Sequence, residues 1–310
     1  MIKNEKTLAL TLTITSMVIW GISYVWLKEI YEYISPFTTV CIRVFIATIF
    51  LTTISLVLKR LRKINKKDFV FFALMGILDP LGYFLLEGYG IQNSTPTIAA
   101  VVISMIPVFL PLAAYFFLKE KLSLMNIAGI VISFIGVLLV IVKDDFTLAG
   151  SILGITLLFM AVLCSVVYNI LLKKLLERYN IFTIITVLNI ISTIYFIPLF
   201  FIFGYKDFIQ IQPDTRFVSY ILLLSLFAST LAFLFYAKGV QVLGASMTNV
   251  FANLIPVVTA LFSWIMMVEN ISARMTVGIF TVVIGLFIAQ VKFRAFANRY
   301  GRIWGKLPKD

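Results

Sequence analysis

Histidine is missing from this 310-residue chain, cysteine occurs only twice, and charged residues make up only 13% of it. With no histidine, and with Cys41 and Cys164 far apart in separate apolar runs, the chain lacks the clustered ligands that zinc, haem and iron–sulfur sites draw on. The two cysteines read as packing residues rather than as a disulfide. The shortage of charge is equally informative. A soluble domain is about 25% charged and about 45–50% apolar, whereas 61% of this chain is hydrophobic and its mean hydropathy is +1.05. No single core could hide that much apolar surface, so the bilayer must be the solvent for much of it. The chain reads as a polytopic membrane protein.

The N-terminal stretch MIKNEKTLALTLTITSMVIWGISYVWLKEI looks superficially like a signal sequence. Its apolar run from Thr7 to Leu27 is of span length and no small-residue cleavage site follows, so it reads as a first, retained helix. Stretches meeting the requirement of roughly 20 apolar residues fall at 7–27, 37–58, 69–90, 95–118, 124–142, 150–172, 181–204, 216–238, 244–267 and 273–292. These are helices 1 to 10 of the expected fold. Ten crossings return the chain to its starting side. If that side is cytoplasmic, its loops and helix ends hold 20 Lys and Arg, six of them within 59–67, against five on the other side, with Arg43 inside helix 2. That asymmetry follows the positive-inside rule. The formal net charge of +12 is then a topology signal, and nucleic acid is not an expected partner. In the tail, residues 293–310, Phe293, Phe296, Tyr300, Ile303 and Trp304 alternate with Lys and Arg at near-helical spacing. This suits a basic amphipathic helix on the anionic inner leaflet.

Shifted by 149 residues, the chain matches itself without gaps from helix 3 to helix 5. Gly90 meets Gly239, Gln92 meets Gln241, Pro107 meets Pro256, Glu120 meets Glu269, Gly129 meets Gly278 and Gly136 meets Gly285. Two repeats of five helices, 1–148 and 149–292, follow. Because five is odd, the second copy enters the membrane from the opposite side. Inverted repeats of this kind are typical of secondary transporters, which alternate access around a midplane site.

The stretches SMIPVFLPLAAYFFLKEKLSLMNIAGIVISFIGVLLVI (104–141), NLIPVVTALFSWIMMVENISARMTVGIFTVVIGLFIA (253–289) and VIWGISYVWLK (18–28) resemble the drug/metabolite transporter superfamily, in its EamA-like ten-helix branch. The resemblance implies an all-α bundle of ten transmembrane helices in two inverted halves, with both termini cytoplasmic. It implies a transporter rather than an enzyme, favours amino acids or amines as substrates, and implies that helices 4 and 9 surround the path.

Within that frame the candidate site residues are the polar groups that lipid would penalise. Ser246, Asn249, Asn253 and Pro256 form one stripe of helix 9, and Thr97, Ala100, Ser104 and Pro107 are its equivalents in helix 4. Both stripes are expected to face the bundle interior. In helix 3, Asp79 lies about ten residues in, near the midplane by the helical rise, with Tyr83 and Glu87 on the same face and Pro80 loosening the helix beside it. Asp79 has no obvious basic partner at its depth, which makes it a candidate substrate-binding or proton-carrying group. Glu87 lies nearer the outer surface, at a depth where Arg43 of helix 2 offers a buried ion pair as the structural alternative. Trp20, Tyr24, Tyr83, Tyr168 and Tyr236 are candidate aromatic walls, and Asn169 a further polar contact. Pro80, Pro107 and Pro256 are candidate hinges. The paired glycines of helices 5 and 10 favour close helix packing, within or between chains.

The expected protein is therefore an exporter or exchanger of a small polar metabolite in the plasma membrane. It needs no cofactor, with proton coupling left open by Asp79, and works as a monomer or homodimer among membrane lipids. A lipid-headgroup flippase and a non-transporting scaffold or sensor subunit are the alternatives.

Overall fold

The computed structural model describes residues 2–118, 124–143, 147–244, 248 and 250–304, with the side chains of 2–4, 111, 114–118, 124, 173 and 290–304 outside the described set. Among the described residues the chain is helical, with only an isolated antiparallel bridge between Val142 and Leu148. The helices are α1 (Ile2–Ile30), α2 (Pro36–Val57), α3 (Phe69–Gly76), α4 (Tyr83–Gln92), α5 (Pro96–Ile103), α6 (Ile106–Leu118) and α7 (Leu124–Ile141). They continue as α8 (Ile152–Leu176), α9 (Ile181–Leu199), α10 (Tyr205–Ile209), α11 (Thr215–Leu222), α12 (Ala232–Leu243), α13 (Leu254–Ile265) and α14 (Ala273–Trp304).

Six continuous stretches are long and apolar enough to cross a membrane: Glu5–Ile30, Pro36–Val57, Lys66–Gln92, Ile152–Leu176, Ile181–Ile209 and Thr215–Leu243. Shorter apolar helices, Pro96–Leu110, Met125–Ile141, Phe251–Ile265 and Ala273–Ala289, fall in the other expected segments. The exterior is greasy, with Phe45, Val57, Phe201 and Ile202 all exposed, as suits a surface bathed in lipid. The tail continues α14 without a break as far as Trp304.

Helix starts are closed by side chains that take up orphaned backbone N–H groups. Ser35 accepts from the Thr38 amide, Ser151 from Gly154, Asn180 from Thr183 and Asp214 from Phe217. Proline occupies the first turn of α2 and α5, where its missing N–H costs nothing. Connections at one end of the bundle are tied together. Lys28 Nζ donates to the carbonyl of Ser94 at 2.8 Å, Ser35 Oγ donates to Asp207 Oδ2 at 2.7 Å, and the Tyr33 hydroxyl donates to Asp214 Oδ2 at 3.1 Å. Glu269 Oε2 accepts from the Thr97 amide at 3.2 Å and so caps the first turn of α5 from outside the helix. Glu120 lies outside the described residues.

Five of the expected spans are interrupted, the seventh by a π-helical stretch at Phe200–Gly204, near its end. The third leaves the helical path between α3 and α4, where Asp79 is extended (φ −153°, ψ 122°) and the Asp79–Pro80 peptide is cis. Pro80 has no N–H to offer Gly76, four residues back. The Ser192 hydroxyl of α9 donates to the Gly76 carbonyl instead, at 3.0 Å. A side chain of another helix thus adds a donor at a carbonyl whose α-helical partner is missing, beside the π-type bonding of Ile77–Gly82. The eighth span widens into a π-helical stretch at Leu223–Leu231, which the 149-residue shift places opposite residues 74–82. The fourth turns at Ser104 and Met105, ahead of Pro107, and the ninth tightens into a 3₁₀ turn at Phe251–Asn253, ahead of Pro256.

The two halves of the chain interlock. α1 packs along α12 and α13, so the first helix lies on the third and fourth spans of the other half, while α8 packs reciprocally on α4, α5 and α6. α2 meets α9, and α7 meets α14 in the most extensive helix pair. In that pair a Cβ on Gly285 would lie 2.8 Å from the Gly129 carbonyl and one on Gly136 would lie 2.8 Å from the Gly278 carbonyl. Gly129 thus faces Gly285 and Gly136 faces Gly278, so the two helices run antiparallel with their backbones touching. The glycine seam expected from sequence is formed within the chain.

Candidate functional site

The breaks surround a cavity of about 130 Å³. It is walled by Trp20 and Tyr24 of α1, Arg43 of α2, Asp79 at the helix break, and Tyr83 and Glu87 of α4. Ser104 and Pro107 flank the break between α5 and α6, Asn169 comes from α8 and Tyr236 from α12. Tyr168 of α8 lines it too, so nine of the expected polar and aromatic site residues share one space. Pro80 lies behind Asp79 on a smaller recess of about 10 Å³, with Asn189 and Ser229. Asn253 and Pro256 are buried off the cavity lining. Neither amide atom of Asn253 has a partner among the described residues. Asn249 and Ser246 lie outside the described residues.

At one end of the cavity Glu87 is the centre of a hydrogen-bonded group. Its Oε1 accepts from Tyr83 at 2.7 Å, one turn earlier on α4, and from Tyr24 of α1 at 3.1 Å. The i to i+4 spacing of Tyr83 and Glu87 makes the first bond a local consequence of the helix. The second joins α1 to α4. Glu87 is 6% exposed, and two phenolic donors on one oxygen offset part of the cost of burying a carboxylate.

Arg43 does not form the ion pair suggested by its depth. Among the described residues no carboxylate lies within 4.0 Å of it. Its Nε donates to Ser229 Oγ at 2.9 Å, and its guanidinium carbon sits 4.1 Å from the ring centroid of Phe84. The sequence does contain a signal for Ser229, because it stands 149 residues after Pro80 and so occupies the same place in the second half.

Asp79 is 6% exposed and accepts no hydrogen bond from any described residue. Its backbone is pulled out of the helix, so its carboxylate meets the cavity rather than a neighbouring turn. The part of the wall built by α1 and α12 is aromatic and already anchored. Trp20 donates its indole N–H to the Ala228 carbonyl at 3.1 Å, and its ring lies 5.2 Å from Phe233 and 5.3 Å from Tyr236. Asn169 donates to the Ser165 carbonyl at 2.8 Å and Ser104 to that of Val101 at 2.7 Å. Residues that sequence reasoning did not single out also line the space, namely Met17, Ser23, Phe84, Ser165 and Phe233. Only their helix face, not their type, marks them. No cluster of His, Cys, Asp or Glu among the described residues suits a metal ion.

A helical bundle with an apolar exterior and an internal cavity lined by acids, a guanidinium and aromatic rings defines a multi-pass membrane protein that handles a solute. The EamA-like transporter family model matches residues 7–142 and 152–290, and the chain belongs to that family. An uncharacterized transporter of Archaeoglobus fulgidus is 27% identical to it over 93% of this chain and 99% of its own. The uncharacterized transporter YetK of Bacillus subtilis is 24% identical over 89% and 85% respectively. A crystal structure at 13% identity shares the fold, with a TM-score of 0.69 and coverage of 91% of this chain and 98% of that one. The relatives are transporters by name, and none of these names specifies a cargo.

Proposed function

We propose that the chain is a carrier that moves a small polar metabolite, an amino acid or amine, across the plasma membrane by alternating access, as an exporter or exchanger. The observation that carries this reading is Asp79, a buried carboxylate at a helix break, facing the cavity without a hydrogen-bond donor among the described residues. Such a group is costly inside a membrane and is completed by a cation, either a substrate ammonium or a coupling proton. The aromatic walls suit an ammonium as well. The cavity of about 130 Å³ is close to the roughly 150 Å³ that admits benzene in an engineered core. It therefore suits a ligand of about six non-hydrogen atoms.

Two inverted halves, 1–148 and 149–292, are the frame for alternating access. The glycine contacts support this division. Exchanging the halves turns the Gly129–Gly285 contact into Gly278–Gly136, which is the other contact of the same antiparallel pair. Ten crossings with both termini in the cytoplasm agree with the distribution of Lys and Arg. Pro107 and Pro256 sit just after matching breaks in the fourth and ninth spans, where bending during rocking would concentrate, as it would at Pro80.

The test is uptake and counterflow of labelled amino acids and amines in proteoliposomes, across a range of pH, for wild type and Asp79→Asn. Loss of transport, or of its pH dependence, in the variant is the expected result. Transport that is unchanged in rate and in pH dependence removes Asp79 from the site.

A further inference from the structure

Arg43 is the cavity's one arginine: among the described residues no carboxylate lies within 4.0 Å of it, although Glu87 and Asp79 are near enough to feel its charge. It is 4% exposed, lines the cavity, and makes one hydrogen bond among the described residues, from Nε to Ser229. The Phe84 ring, 4.1 Å away, covers the guanidinium. The bond and the ring together orient the guanidinium and leave Nη1 and Nη2 without an acceptor among the described residues. Glu87 is not that acceptor, because it is held by Tyr24 and Tyr83 and lies beyond ion-pair distance. A guanidinium in hydrocarbon is tolerated where it meets a cavity or a counter-charge. A planar fork with two free N–H groups is the geometry that grips a carboxylate in bidentate fashion.

We infer that Arg43 holds the carboxylate of a zwitterionic substrate whose ammonium is held at Asp79. This rests on the carrier reading above and narrows its cargo from amino acids and amines to small amino acids. The two charges come from different helices, α2 and the break after α3, and line the same cavity. A ligand must bear both signs to satisfy both. A simple amine leaves the Arg43 Nη groups without an acceptor and a simple carboxylate leaves Asp79 without a donor, and a buried charged group left without its hydrogen bonds weakens binding more than a lost apolar contact does. The cavity volume sets the size at about that of alanine or serine. Ser229 is a positioning residue, because it fixes the guanidinium without lining the large cavity.

The experiment is isothermal titration of the full-length protein in lipid nanodiscs with alanine, alaninamide, ethylamine and propionate. Wild type is expected to bind alanine at least about tenfold more tightly than each of the other three. Arg43→Gln should erase the advantage of alanine over ethylamine, and Arg43→Lys should keep part of it. Should Arg43→Gln fail to purify, Ser229→Ala replaces it, with the expectation that alanine weakens while ethylamine does not. Ethylamine or alaninamide binding as tightly as alanine overturns the inference and leaves the carrier reading in place. Binding of none of the four overturns the inference, and the uptake and counterflow assay then decides the carrier reading separately.

Discussion

The seam between α7 and α14 permits a quantitative test. A Cβ on Gly285 would lie 2.5 Å from the Ser133 amide nitrogen, 2.5 Å from Ser133 Oγ and 2.8 Å from the Gly129 carbonyl oxygen. Two of these neighbours are backbone atoms, which cannot rotate away, so the helices must part by on the order of 1 Å to reach ordinary contact distances. Overpacking of this kind costs about 1–3 kcal/mol. Membrane helices have no hydrophobic drive to close the gap again, since lipid competes equally for the surfaces. At about 2–4 °C per kcal/mol for a chain of this order of size, Gly285→Ala should lower the melting temperature of the purified protein by roughly 2–12 °C. Val131→Ala, on the exposed face of α7, serves as the control and should melt close to wild type. No residue of α7 or α14 lines the cavity, so ligand affinity of the folded Gly285→Ala protein should be unchanged. If Gly285→Ala melts with wild type, the seam is not a close backbone contact. The half-exchange argument built on it would then fail too.

Two further outcomes follow from bonds already described. Ser192→Ala removes the donor to the Gly76 carbonyl and should cost about 0.6–2 kcal/mol, read from denaturation in mixed detergent; an unchanged midpoint would mean that another group serves that carbonyl. Asp214 at the start of α11 is held below the usual carboxylate range, mainly by the Phe217 amide donating to it at 2.7 Å. A depressed folded value means that its stabilising effect is present above the unfolded value of about 3.9 and is lost as pH falls through the lower folded value. The melting difference between wild type and Asp214→Asn should therefore persist at neutral pH and shrink below about pH 4. A difference that widens with acid contradicts the capping role.

Much of the architecture was legible because it rests on strong local signals. Apolar length located the helical stretches, and the shared register of Gly129, Gly136, Gly278 and Gly285 anticipated the seam, although only the structure places both sides of it in one chain. Pro80 beside Asp79 foretold a disturbance of the third helix, and nine expected residues meet in one cavity. The partners across the bundle were not legible. Arg43 and Glu87 share a depth, which suggests a pair, but depth carries no information about azimuth. The structure turns Arg43 towards Ser229 and gives Glu87 to two tyrosines. In a chain that is 61% hydrophobic, lipid-facing and buried faces look alike in composition, so the contact of Ser192 with Gly76, 116 residues apart, leaves no trace in the local pattern. The same ambiguity hid Asn253, whose stripe predicts an interior face but not which part of the interior.

The interlocking of the two halves also bears on how the protein is made. α1 leaves the ribosome first, yet its anchors come late: Trp20 bonds the carbonyl of Ala228, 208 residues on, and the Gly21 carbonyl accepts from Thr259, 238 residues on. At about 5–20 residues per second, the wait for Thr259 is roughly 12–48 s. Throughout that time the indole N–H and the face around Gly21 sit in the bilayer unsatisfied by their final partners. Insertion and folding are therefore separate events for this helix, and a chain stopped after its first half leaves α1 without the surface it was shaped to meet.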